Sequence, residues 1–144
     1  MSYKIEMSES GKFYHVLIER EVSVELARKF TAKIREKSLE TGIRRFLFDV
    51  RNARNISSVS DNYFFAYEDS SELDLDRTAR VAILTEPEDD SHDFAVVALK
   101  NAGHLAKLFR DESSSIEWME DDSIRPPGQH SKHTTPQPGQ SKPK

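Results

Sequence analysis

Ala79-Arg80-Val81-Ala82-Ile83-Leu84-Thr85, Glu86-Pro87-Glu88-Asp89-Asp90 and Ser91-His92-Asp93-Phe94-Ala95-Val96-Val97-Ala98-Leu99-Lys100-Asn101-Ala102-Gly103 follow one another without a break, and they decide the fold. The first run is almost continuously apolar, as a strand covered on both faces must be. Pro87 lacks the N–H that a ladder needs, so the strand ends before it. Ser91 is placed to cap a helix running through Asn101, with Asp89, Asp90 and Asp93 near its positive end. Asn101-Ala102-Gly103 closes that helix. A buried strand followed by a helix needs a crossover and a parallel neighbour.

Working outward, the flanking segments supply that neighbour. Tyr3 to Met7 and Phe13 to Glu19 alternate about the polar loop Ser8-Glu9-Ser10-Gly11-Lys12 and read as an antiparallel hairpin. His15 lies inside its second strand and reads as a strand side chain. Ser23 caps a helix to Thr41, stopped by Gly42, with Leu26, Ala27, Phe30 and Ile34 as its apolar stripe. Arg45 to Val50 is an interior strand that Asp49 interrupts near its C-terminal end. Sites gather at that end of open α/β sheets, so Asp49 is a candidate beside the plainer reading that it satisfies loop backbone. Ser60 or Asp61 opens a helix carrying Tyr63, Phe64, Phe65 and Tyr67, which is either core or the lining of an apolar pocket or partner surface. Leu105 to Phe109 is a last short strand and Arg110 to Met119 a last helix, with Trp118 sealing the end of the domain. The order is β-β-α-β-α-β-α-β-α, an α/β domain over residues 1–120 with a mixed sheet. Residues 121–144 read as a disordered tail rich in proline, glycine, serine and lysine.

Composition narrows the function. The chain has 144 residues, net charge −4 and no cysteine, which excludes disulfides, thiolate nucleophiles and cysteine-held metals. The four basic groups after residue 122 leave 17 basic against 25 acidic side chains in residues 1–122, a net of −8. An acidic domain argues against nucleic acid as a partner. Arg44, Arg45, Arg51 and Arg54 flank one strand and read as a solvated rim before an anion site. The longest apolar run, Phe94 to Leu99, is far too short for an integral membrane segment, and a cytoplasmic location is expected.

The run Tyr63-Phe64-Phe65-Ala66-Tyr67-Glu68-Asp69, with Leu75-Asp76-Arg77, Arg80-Val81-Ala82, Asp90-Ser91-His92-Asp93-Phe94, Asn101-Ala102-Gly103 and Lys107-Leu108-Phe109, resembles the bacterial SpoIIAA-like, or STAS/SEC14-like, proteins. The resemblance covers about residues 3 to 120 and implies a STAS-like α/β domain with a regulatory, protein-binding or lipid-binding role. Anti-sigma-factor antagonists of that group carry an Asp-Ser-Ser-Gly-like phosphorylation motif after the third strand. Here the matching residues are Asn55-Ile56-Ser57-Ser58-Val59. The serine pair is there, while the preceding acid and following glycine are not. Ser57 and Ser58 are thus candidate phosphorylation sites on the resemblance alone.

No phosphate loop, dinucleotide fingerprint, zinc-protease helix or nucleophile elbow is present. Asp90, His92 and Asp93 with Asp49 would suit a metal or an acid/base pair, but neighbours at a helix start point apart and the acids have a capping role. No cofactor and no metal is expected. The expected function is a non-catalytic regulatory or protein-binding module working through Tyr63, Phe64 and Tyr67 and the loop with Asp90, His92 and Asp93. The alternatives are a carrier of an apolar or lipid-like small molecule and an enzyme of unknown reaction. A carrier needs an enclosed cavity of several hundred cubic ångströms, on the order of 300 to 1,000 Å³. A homodimer is left open.

Overall fold

The structure is a computed structural model, and it describes residues 3–56 and 79–124. Five strands form one sheet in the order β1-β2-β3-β4-β5: Tyr3–Met7, Tyr14–Ile18, Arg45–Asp49, Arg80–Leu84 and Leu105–Phe109. β1 and β2 are antiparallel and the remaining pairs are parallel. Among the described residues the helices are α1 at Val24–Thr41, α2 at Asp93–Asn101 and α3 at Glu112–Glu120. The hairpin and the parallel pairing of the later strands agree with the sequence-based expectation. The helix expected to carry Tyr63, Phe64 and Tyr67 lies outside the described residues.

Side chains alternate across each strand, which divides the sheet into two unlike faces. Val16, Ile18, Phe46, Phe48, Val81, Ile83 and Ala106 point to one face, where Leu26, Ala27, Phe30 and Ile34 of α1 and Val96 of α2 cover them. Phe13, Leu47, Ala82, Leu84 and Phe109 point to the other, where Met119, Ile116 and Trp118 of α3 meet them. Among the described residues the crossover helices α1 and α2 share one face because the strands are added in sequence in one direction. The strand order among these residues shows no reversal, the feature that forms the ligand crevice of many open α/β sheets.

α1 begins and ends where local chemistry says it should. The Ser23 hydroxyl accepts from the Leu26 amide, and Gly42 sits at φ 80° while its N–H donates to the Ser38 carbonyl. α2 departs from expectation. Its cap position is His92, with no side-chain cap bond, and the helix starts at Asp93. The Ser91 hydroxyl instead accepts from the Asn55 amide, joining this loop to the one after β3.

α3 is held by its C-terminal end. Arg80, 4% exposed, aims its guanidinium at the end of that helix. Its Nη1 shares two hydrogens among the carbonyls of Trp118 (2.9 Å), Asp121 (2.8 Å) and Met119 (3.3 Å), and Nη2 donates to Ile124 (2.7 Å). Arg45, its register partner on β3, donates to Met119 O and Asp122. These bonds satisfy carbonyls that a helix terminus leaves open. Residues 121–124 are therefore anchored to the sheet, Asp122 also pairing with Lys12. The other tail residues lie outside the described structure.

Candidate functional site

The candidate site lies at the C-terminal edge of the parallel strands, in two clusters. The first is built on β2 and β3. His15 Nε2 is 3.0 Å from Asp49 Oδ2, and Arg51 grips the same carboxylate with Nε at 2.9 Å and Nη2 at 2.7 Å. Arg51 N also donates to Asp49 Oδ1, and Arg51 Nη1 reaches Glu112 at 3.5 Å. Asp49 is buried. Burial alone would raise its carboxyl, but the bonds from His15 and Arg51 outweigh that and hold it well below the usual carboxylate range. The bond to Asp49 raises the Arg51 guanidinium in turn.

Asp49 accepts from loop backbone, the Arg51 amide, as the plainer reading expects, and it also holds the His15 and Arg51 side chains. His15 is more than a strand side chain, because its position two residues before Leu17, the register partner of Asp49, brings it to that carboxylate. A half-buried imidazole aligned by a buried carboxylate resembles a proton-transfer dyad. Among the described residues, however, the hydrogen bond of the His15 ring is to Asp49 alone.

The second cluster is the loop between β4 and α2. Arg110 follows β5 and reaches across it. Its Nη1 faces Asp89 O (2.9 Å), Glu86 O (3.2 Å), Pro87 O (3.2 Å) and Thr85 Oγ1 (3.3 Å), and Nη2 donates to Asp93 Oδ1 (3.0 Å). Two hydrogens serve four acceptors at Nη1, so the bond to Asp89 O is the strong one. Asp89 is buried and its Oδ1 accepts from the Ser91 amide, with Arg54 at 3.4 Å. Burial would raise this carboxyl too; the Ser91 bonds, His92 and Arg54 bring it below its ordinary value.

The expected site residues are dispersed. His92 is 3% exposed and its Nε2–H donates to the Ala53 carbonyl at 2.8 Å. Burial lowers its pKa against the opposing pull of that bond and of Asp89. Asp90 and Asp93 point to solvent, and Asp93 is taken up by Arg110. Among the described residues the Asp90 side chain makes no cap bond, so the capping role expected of the loop acids is seen there for Asp89, on the Ser91 turn, and not for Asp90. Asp49 faces the α3 side of the sheet and His92 the α1 side, so they share no site. Among the described residues no three His, Asp or Glu side chains gather as a metal site. Arg45, Arg51 and Arg54 are each spent on carboxylates, in keeping with a rim. Tyr63, Phe64, Tyr67, Ser57 and Ser58 lie outside the described residues.

Between α1, α2 and the sheet is an apolar cavity of about 100 Å³, lined by Phe30, Ile34, Phe48, Ile83 and Leu99 with His92 and His104 at its polar points. Among the described residues no helix is long and apolar enough to cross a membrane. Compared with models of protein families and with curated proteins, the chain matches none.

Proposed function

We propose that this chain is a regulatory, protein-binding module built on a STAS/SpoIIAA-like domain, working in the cytoplasm without a catalytic step of its own. The observation that carries the reading is the Arg110 clamp on the loop from Glu86 to Asp93. It fixes the backbone beneath the exposed acids Glu86, Glu88 and Asp90 before any partner arrives. A fixed loop loses less freedom on binding, which favours affinity and specificity. The chemistry of the loop suits a basic protein surface. The mixed sheet with its N-terminal antiparallel hairpin is the architecture that the family resemblance implies, and it supports the reading.

The carrier reading draws on the apolar cavity, whose volume of about 100 Å³ is short of a lipid-sized site. Two measurements separate the readings. Immobilised full-length protein should retain a stoichiometric partner from a lysate of the source cells, and the folded double variant Glu88→Lys with Asp90→Lys should lose it. Equal capture by both proteins refutes the loop as the working surface. Native mass spectrometry of freshly purified protein showing a bound apolar molecule would turn the assignment to a carrier.

A further inference from the structure

β1 forms one edge of the sheet, and its outer side has a symmetry that none of the features above uses. The Ser8 amide donates to the Phe13 carbonyl at 2.9 Å, and Ser8 and Phe13 continue the β1–β2 register in which Glu6 faces His15 and Lys4 faces Leu17. Hydrogen-bonded and non-bonded pairs alternate in an antiparallel ladder. Lys4 and Glu6 therefore turn their N–H and C=O groups toward β2. Tyr3, Ile5 and Met7 turn theirs outward, to an edge that no described strand pairs.

We propose that this edge pairs with β1 of a second copy, antiparallel about a two-fold axis through Ile5, joining two five-stranded sheets into one. In that register Ile5 faces Ile5 of the second copy and Tyr3 faces Met7. All three outward-facing residues fall in hydrogen-bonded pairs, for about six new backbone bonds. Lys4 then lies opposite Glu6 twice, in the non-bonded positions where side chains come closest. Tyr3 and Ile5 already pack against the apolar core, and Met7 is 44% exposed, so a partner's Met7 against Tyr3 extends that apolar face with a sulfur–aromatic contact.

The charges also select the register. A slip of two residues one way places Lys4 opposite Lys4; the other way places Glu6 opposite Glu6. Like charges directly opposite one another are unfavourable. Charged residues on an edge strand commonly discourage pairing altogether. Here the two exposed charges have opposite signs and are equidistant from Ile5, so one arrangement is favoured while its neighbours are opposed.

Sedimentation equilibrium of the full chain from about 1 μM to about 1 mM tests the pairing. A concentration-dependent dimer is expected. Lys4→Glu alone and Glu6→Lys alone should each weaken it about tenfold or more, since each turns both cross-strand pairs repulsive. The double variant Lys4→Glu with Glu6→Lys should return to within about threefold of the parent. Ile5→Pro removes an N–H that points away from β2, so a hairpin that keeps its circular dichroism should no longer dimerise. A monomer at every concentration overturns the proposal, as does a dimer that both single reversals leave unchanged.

Discussion

His15 Nε2 and Asp49 Oδ2 lie 3.0 Å apart on adjacent parallel strands, with the carboxylate 4% exposed and the imidazole 31% exposed. The buried charge is matched by the Arg51 fork and also bonded by His15, and losing the carboxylate leaves both partners facing a neutral group. Asp49→Asn should cost about 2 to 3 kcal/mol in urea unfolding, the range for breaking charge-assisted bonds at a buried site. The pH dependence has a definite sign. Asp49 has a lowered pKa in the folded state, so its contribution is present above the unfolded value near 4 and is lost as pH falls toward the folded value. Below about pH 4 the parent should lose stability more steeply than Asp49→Asn.

His92 predicts a transition at milder pH. It is buried, and its Nε2–H donates to the Ala53 carbonyl. Its folded pKa is lowered, so the unfolded chain takes up a proton first as pH falls through about 6.5. Stability should therefore decline from about pH 6.5 downward until the folded-state value is passed, and His92→Gln should flatten that part of the curve. A profile identical in the two proteins between about pH 5 and 7 would contradict the assignment.

Arg110→Ala should leave the fold intact and release the loop. Amide exchange at Glu88 to Asp93 should accelerate, while exchange in β4 stays slow, with a global cost of about 1 kcal/mol for a part-exposed cation. Arg110→Lys should not rescue it, because a single ammonium cannot reach Asp89 O and Asp93 Oδ1 in the planar geometry of the guanidinium.

Arg80→Met keeps much of the side-chain length but removes the donor to the carbonyls of Trp118, Asp121 and Ile124, leaving Met119 O to Arg45. A loss of about 2 to 4 kcal/mol is expected, seen as a shifted urea midpoint and a loss of the Trp118 fluorescence signal ahead of the far-ultraviolet signal. Coincident loss of both signals with an unchanged midpoint would mean that Arg80 does not hold the helix.

What could be read from the sequence follows the range of the forces involved. α1 was legible to the residue because its cap and its stop, Ser23 and Gly42, act within one turn. The hairpin and the parallel pairing followed from apolar patterning and crossover length. Ser91 misled, because its hydroxyl had two possible backbone clients and the one it serves, the Asn55 amide, is 36 positions away. The bond between His15 and Asp49 spans 34 positions and depends on the stagger of two strands, which no local pattern carries. Arg80 did leave a signal: a cation in the otherwise apolar run of an interior strand must have a buried partner. That signal lies in β4 itself, but it does not say that the partner is the far end of α3.

The contact of Lys12 with Asp122 joins residues 110 positions apart. It has a consequence for how the protein is made. Among the described residues, Leu47, Leu84 and Phe109 are covered by Met119 of α3, which follows all three in the chain, so this cluster closes only after α3 has been made. The late-made final turn of α3, drawn in by Arg45 and Arg80, is what completes that cluster among the described residues.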